Sequence, residues 1–160
     1  GELLYQIISQ RPDYSFVFTG PEDDGFRQHR IHSLKNAYFT GQKKVDELPA
    51  YITAYDVCIN PQMVNDITDG NYPLKIDEYL AMGKPTVATS THTMRHIFAD
   101  HTHLATNPEE WLSAIDRAVT EADDKELAKQ RIAFAETHSW GHSVKKIYGI
   151  IDNFLKEKAT

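Results

Sequence analysis

Apolar positions along the chain recur with two periods that alternate from the amino terminus onward. In residues 2–10, Leu3, Leu4, Ile7 and Ile8 form one stripe at helical spacing, which predicts an amphipathic helix. Later apolar runs are short and almost uninterrupted, which is typical of strands buried on both faces. These runs predict strands at residues 14–19, 37–40, 56–61 and 85–89, and a short strand at residues 103–105.

Helical patterns and polar loops separate these strands. Helices are predicted at residues 26–34, 45–54, 74–82 and 94–98, and polar loops at residues 22–25 and 63–72. Three helices follow at residues 108–121, 124–137 and 140–158, and Ser139 suits the N-cap position of the last one. Strands that alternate with helices over short connections predict an α/β fold, with a doubly wound parallel sheet covered on both faces.

The carboxyl ends of the predicted strands form the expected binding edge, because ligands of doubly wound sheets lie beyond those ends. The first two strands end at Gly20 and Gly41, and the next ends at Asn60. A glycine has no side chain, which lets a ligand approach the backbone closely. Gly20 and Gly41 are therefore candidate binding positions.

Composition narrows the class of protein. The 160 residues suffice for one domain with a core, and the net charge of −6 disfavours a nucleic-acid-binding surface. Cys58 is the single cysteine, so an internal disulfide is excluded and a reducing compartment is favoured. We find no signal peptide and no transmembrane segment, so the predicted location is cytoplasmic. The helical pattern is already under way at Glu2, which predicts a piece of a longer protein.

The segment from residue 71 to residue 89 carries the chemistry. Pro73 can occupy the first helical position, and the amides of Leu74, Lys75 and Ile76 would then point out of the helix end unpaired. A diphosphate would satisfy these amides and meet the positive end of the helix dipole. Glu78 lies one turn further on, and its two carboxylate oxygens match the two hydroxyls of a ribose.

Simpler interpretations of the same segment stand beside this one. Lys75 and Glu78 have the spacing of a solvated ion pair on a helix surface, which on spacing alone is the commoner case. Tyr72 either stacks on a ligand or packs against the core. Gly83 suits the left-handed residue after a helix, and Lys84 is expected to be exposed.

The order of these motifs resembles that of a known family. The run Pro73-Leu74-Lys75, then Glu78 to Ala81, then Gly83 to Ala88 resembles the donor-binding signature of GT-B glycosyltransferases of the family 4, or group 1, type. Residues 11–21, 36–41, 47–51 and 54–57 are similar to further blocks of that family, and so are the C-terminal helices, the last of which begins at Trp140. The resemblance covers nearly the whole chain.

The resemblance implies that residues 1–160 are the donor-binding half of a two-domain enzyme, with a Rossmann-like fold. The substrate would be a UDP- or GDP-linked sugar, with no permanent cofactor and no metal. Glu78 would hold the ribose, the amides of Leu74 and Lys75 the diphosphate, and the turn after Gly41 the base. A basic residue after the Gly20 turn, Arg27 or Arg30, would assist with phosphate.

The same resemblance predicts the biological setting. The acceptor, lipid-linked or a glycan, and the catalytic base would belong to the other half, so the catalytic residues are unknown and this part alone would be inactive. The expected process is surface polysaccharide or glycoconjugate biosynthesis. The full-length protein would then act in the cytoplasm or peripherally at the inner membrane.

Two departures from the family pattern matter. Retaining members often carry a second glutamate eight positions before the ribose-binding one, and here that position is Gly70, beside Asp69. The stereochemistry of transfer is therefore open. The family would also place one more strand before Glu2, so the sheet is expected to lack its first strand and to have an unpaired edge.

Other classes of function compete with this interpretation. One is a non-catalytic doubly wound interaction or receiver-like module, which Asn60 disfavours because an acid would be expected there. Another is a sugar-nucleotide epimerase of GT-B architecture. Pairs of histidines, such as His92 with His96, have metal-ligand spacing, but they are better interpreted as surface residues because no cysteine or glutamate partner accompanies them. Cys58 lies in an apolar strand, which disfavours a catalytic thiol.

Overall fold

The computed structural model describes residues 1–158. Five short parallel strands alternate with helices, as the apolar pattern predicts. In chain order the elements are α1 (Glu2–Ser9), β1 (Phe16–Thr19), α2 (Asp24–Arg27), β2 (Ala37–Gly41), α3 (Leu48–Ala54), β3 (Cys58–Asn60), α4 (Leu74–Ala81), β4 (Thr86–Thr89), β5 (His103–Ala105), α5 (Pro108–Thr120), α6 (Lys125–Glu136) and α7 (Trp140–Lys158). A 3-10 helix (Arg30–Ser33) follows α2, and a π-helical turn (Met94–Phe98) precedes β5.

The single helix predicted at residues 26–34 is wrong, because two short helices occupy this region. The carboxylate of Asp23 accepts from the amide of Phe26 and caps α2, which therefore begins inside the predicted polar loop. His29 Nδ1 accepts from the amide of Ile31 and caps the 3-10 helix. The extended backbone of His29, typical of an N-cap residue, separates the 3-10 helix from α2.

The strands form two parallel sheets, which confirms the α/β class. In one sheet β1 pairs with β2, and in the other the order is β3-β4-β5. The classical doubly wound order is 3-2-1-4-5-6, and the two sheets correspond to its 3-2 and 4-5-6 portions. Within residues 1–158, no strand pairs with the second edge of β1 or of β3. These are the two edges between which the classical order places strand 1.

Two apolar cores cover opposite faces of β4, whose residues are all buried. Val87 lies in the first core and Ala88 in the second, because successive side chains of a strand point to opposite faces. The first core draws on both sheets, which joins them into one body; its buried members are Ile7, Ile8, Phe16, Ile31, Val87, Ala105, Trp111, Leu112, Ala114, Ile115 and Ala118. The second core packs α4, α6 and the π-helical turn on the other face; its buried members are Ile76, Leu80, Ala88, Met94, Phe98 and Ala135.

The break after α4 has the geometry predicted for Gly83. This residue has φ of 71°, its amide donates to the Leu80 carbonyl, and the amide of Lys84 donates to the Tyr79 carbonyl. This is a Schellman ending. The expectation that Lys84 is simply exposed is wrong, because its Nζ donates to the carbonyls of Thr53 at 2.8 Å and Tyr55 at 2.6 Å. The ammonium group thus caps the carboxyl end of α3, where the helix dipole favours a cation.

Helix α7 extends from the body without burying any of its described residues. Ser139 caps it as predicted, since its Oγ accepts from the amide of His142. Across residues 1–158, no helix combines the length and the apolar character needed to cross a bilayer.

Candidate functional site

The amino end of α4 exposes two backbone amides. Pro73 is the N-cap, with φ of −88° and ψ of 87°, so the prediction that it occupies the first helical position is wrong by one residue. The amide of Ile76 was expected to be free but donates to the Pro73 carbonyl at 2.9 Å. The amides of Leu74 and Lys75 find no acceptor among residues 1–158. Two donors therefore point out of an eight-residue helix at its positive end.

Lys75 and Glu78 stand beside these amides, and both side chains are exposed. Lys75 and Glu78 do not form the surface ion pair that was the simpler interpretation, since neither has a hydrogen-bond or ion-pair partner in the described part of the chain. The Leu74 side chain is 67% exposed and takes no part in the core. The first turn and a half of α4 thus presents a cation, an anion and two free N–H groups to solvent.

The aromatic ring of Tyr72 packs against the core on one side, while the residue remains 42% exposed. Its centroid lies 5.5 Å from that of Phe98, and its hydroxyl donates to Asp77 Oδ2 at 2.6 Å. Partial burial, reinforced by the bond to Asp77, raises the pKa of Tyr72 well above the ordinary tyrosine value. Asp77 Oδ1 also lies 2.8 Å from His138 Nδ1. The sequence interpretation missed Asp77, and no local spacing relates residues 77 and 138.

Two glycine turns lie side by side at the ends of β1 and β2. Gly20 has φ of 152° and Gly41 has φ of 71°, and the Gly20 amide donates to the Gly41 carbonyl at 3.1 Å. A Cβ at either position would meet no heavy atom within 4 Å, so the turns face open space. Beneath them, Thr19 Oγ1 bonds the hydroxyl of Tyr55 at 2.6 Å and accepts from Thr40 Oγ1. No pattern in the sequence predicted this polar cluster.

The two candidate arginines differ in how firmly contacts within the protein hold their side chains. Arg30 pairs with Glu2 at 2.5 Å and stacks its guanidinium 3.9 Å above the ring of Tyr5, which ties it to α1. Arg27 lies in α2 after the Gly20 turn and makes a longer contact of 3.4 Å with Asp24. Its side chain is largely exposed. Of the two, Arg27 is the cation with more freedom to contact a ligand.

A cleft of about 590 Å³ opens between the loop before α4 and the start of the π-helical turn. Asp69 and Gly70 line it together with His92. The Asp69 carboxylate accepts from the amide of His92 at 2.7 Å, so it anchors the loop rather than standing free in the cleft. A Cβ at Gly70 would meet no heavy atom within 4 Å, so packing does not require glycine where the family pattern has an acid.

Other sequence candidates fall outside this site. Cys58 is 4% exposed, and burial raises the pKa of its thiol to about 12, which suits an inert core residue. His92 and His96 lie with ring centroids 4.2 Å apart on the surface. The described residues contain no group of three or more histidine, cysteine, aspartate or glutamate side chains arranged to hold a metal ion.

Comparison with known proteins decides the family. Residues 2–121 match the family described as Glycosyl transferases group 1. The chain belongs to this family. It is also 26% identical over 153 residues to the putative teichuronic acid biosynthesis glycosyltransferase TuaH of Bacillus subtilis (strain 168). That similarity covers 91% of this chain but 38% of the relative, so the chain spans well under half of the relative's length. The resemblance expected from the segment around Glu78 is confirmed at the level of the family.

Proposed function

We propose that this chain is the nucleotide-sugar-binding domain of a glycosyltransferase. The observation that carries the proposal is the pair of free amides at Leu74 and Lys75, with the unpaired carboxylate of Glu78 one turn away. A diphosphate carries acceptor oxygens that match two such amides, and a helix N-terminus favours an anion. A ribose next to the diphosphate would present its hydroxyls to Glu78. The glycine turn at Gly41, at the end of β2, leaves open space for a base.

The proposed chemistry is transfer of a sugar from a UDP- or GDP-linked donor. As the bond between the anomeric carbon and the diphosphate oxygen breaks, negative charge develops on the departing nucleoside diphosphate. The amides of Leu74 and Lys75 and the cations of Lys75 and Arg27 would stabilise that charge, in place of a metal. Fixed donors of this kind need no reorganisation during the reaction.

The acceptor and its activating base belong, in this proposal, to a further part of the protein, so the 160-residue chain alone would bind a donor without transferring its sugar. The name of the Bacillus subtilis relative assigns that protein to teichuronic acid biosynthesis. This supports an acceptor here that is a lipid-linked or free glycan of a surface polysaccharide. The fold does not support the receiver-like alternative. Strand β3 ends at Asn60, and a receiver would need a phospho-accepting acid at that position.

Isothermal calorimetry with UDP and with GDP tests the proposal. We expect one of the two to bind the 160-residue chain. Leu74→Pro then removes one free amide, and proline is well tolerated at the first position of a helix. Losing one hydrogen bond to a charged group, about 1.5 kcal/mol, weakens binding about tenfold.

Lys125→Pro is the matched control. Lys125 is the first residue of α6, and its amide is likewise unused because Asp124 caps the next two amides. This variant should bind as the wild type does. Failure of both nucleotides to bind a folded wild-type sample would refute the proposal, and equal effects of the two proline variants would refute the role of the α4 amides.

A further inference from the structure

Helix α4 begins without a capping side chain, as α1 and α3 also do. Helices α2, α5 and α6 are each capped by a side chain, respectively that of Asp23, Asn107 and Asp124, which accepts from amides of the first turn. The N-cap of α4 is Pro73, which makes no side-chain cap bond. Such a cap accepts from the second or third amide of a helix, so its absence leaves the amide of Lys75 free beside that of Leu74, which a cap does not use. An uncapped helix end tends to fray, so something else must hold these two amides in place.

Tyr72 and Asp77 supply that restraint. They flank the four residues from Pro73 to Ile76, and the bond of 2.6 Å from the Tyr72 hydroxyl to Asp77 Oδ2 closes the segment into a loop. The free amides of Leu74 and Lys75 lie inside this closed loop. The side chain of Asp77 is mostly buried, at 19% exposure, whereas Tyr72 is 42% exposed, so this bond lies at the surface with its acceptor held in the body.

His138 contacts the other oxygen of the Asp77 carboxylate. Its Nδ1 lies 2.8 Å from Asp77 Oδ1, so both oxygens of Asp77 are engaged. The imidazole packs edge-on against the rings of Phe98, with centroids 5.7 Å apart, and Phe134, with centroids 4.6 Å apart. Phe98 also carries the ring of Tyr72. Residues of the π-helical turn and of α6 thus pack around the two side chains that bind the Asp77 carboxylate.

We infer that Tyr72, Asp77 and His138 form a positioning clasp that holds the Leu74 and Lys75 amides ready for the diphosphate of the donor. This inference rests on the proposed function. None of the three needs to touch the ligand. The clasp orders the segment from Pro73 to Ile76 and leaves the N–H groups of Leu74 and Lys75 uncapped. The bonds to Tyr72 and His138 also turn the Asp77 carboxylate toward α6 and away from the incoming anion.

The clasp predicts a selective loss of diphosphate affinity. Tyr72→Phe deletes the hydroxyl and keeps the ring that packs on Phe98. If the ordered segment then accounts for about a fifth of the population, the dissociation constant for a nucleoside diphosphate rises about fivefold. The matching nucleoside, which has no phosphate to meet the amides, should bind unchanged. Asp77→Ala should act in the same direction, and Asp77→Asn should restore part of the affinity because its amide oxygen still accepts from Tyr72.

The experiment compares UDP with uridine, or GDP with guanosine, on the 160-residue chain by calorimetry and NMR titration, alongside melting temperatures without ligand. Tyr38→Phe is the control, because Tyr38 is an exposed tyrosine on β2 whose hydroxyl makes no hydrogen bond within the described residues. The expected result is a fivefold change in the diphosphate-to-nucleoside ratio of affinities for Tyr72→Phe and no change for Tyr38→Phe. A lower melting temperature with an unchanged ratio would mean a merely structural role and overturn the clasp while the proposed function stands. A wild-type chain that binds neither ligand would overturn both.

Discussion

Replacing Glu78 by alanine is the most direct perturbation of the proposed ribose contact. Glu78 is exposed in the middle of α4 and has no partner within residues 1–158. Alanine keeps the helix and even improves its intrinsic propensity by a few tenths of a kcal/mol. The free energy of unfolding should therefore change by less than about 0.5 kcal/mol, as for other surface sites without special contacts. Any large effect on binding must then come from the ligand contact itself.

The size of that effect follows from the lost hydrogen bonds. Two ribose hydroxyls donating to one carboxylate are each worth about 1 to 1.5 kcal/mol, near the low end for charged groups because Glu78 remains in contact with water. The total of about 2 to 3 kcal/mol corresponds to a dissociation constant about 30- to 150-fold weaker. Removing only the 2′-hydroxyl of the ligand should cost the wild type about half of this free energy.

The assay is a double-mutant cycle in which calorimetry measures four dissociation constants. The wild type and Glu78→Ala are each titrated with the nucleotide and with its 2′-deoxy form. The wild type should prefer UDP or GDP over the 2′-deoxy nucleotide by about fivefold to tenfold, and Glu78→Ala should bind both equally. Glu109→Ala is the control, since Glu109 is an exposed glutamate in the first turn of α5. If the wild type does not discriminate between the two sugars, or if Glu78→Ala still does, the assignment of Glu78 to the ribose is wrong. No effect of Glu78→Ala on nucleotide binding or stability would favour the non-catalytic module.

Three further predictions concern the scaffold. Arg131→Met should lower the free energy of unfolding by about 2 to 3 kcal/mol in urea titrations, because Arg131 is 5% exposed and its removal leaves the partly buried carboxylate of Glu121 with His103 as its remaining partner; a loss below about 1 kcal/mol would contradict this. Cys58 should react with a thiol reagent at pH 8 about a thousandfold more slowly than a free cysteine, since burial raises its pKa to about 12, and should react at the ordinary rate in denaturant. The hydrogen bond from Arg11 holds the pKa of Asp116 below its ordinary value, so this pair stabilises the fold above about pH 4 and is lost as the pH falls through the lowered pKa. Because both groups are partly exposed, Asp116→Asn should cost no more than about 1 kcal/mol at pH 7 and nothing near pH 2, and an equal cost at both pH values would refute the ion pair.

Much of the fold follows from local patterns. Each apolar run is long enough for one short strand, and residues between runs carry helical spacing, so all five strands lie where the pattern predicts them. The main miss, at residues 26–34, arose because Asp23 and His29 act as caps. A capping side chain competes with the helix for the backbone amides of one or two residues. A pattern of apolar positions contains no information about this competition.

The candidate site divides in the same way. Leu74, Lys75 and Glu78 were predicted from the helix start alone, because free amides and a carboxylate one turn later are local properties of a helix end. Their binding roles stay predictions until nucleotide is tested. Lys84 was misjudged because its partners are carbonyls of α3, about 30 residues earlier in the chain. Such contacts depend on how α3 packs beside the end of α4, which one helix's sequence does not contain.

The sequence by itself determined the α/β class, the order of the elements, the family and the position of the helix end that carries free amides. All of these rest on neighbours within a few positions, where chain geometry dictates which groups share a face. Only the tertiary structure decided that the five strands divide into two sheets around a shared core, and that His138 reaches across 61 positions to the carboxylate of Asp77. The physical reason is that a contact between distant residues forms when many apolar surfaces are buried together, and no single segment specifies that collective packing.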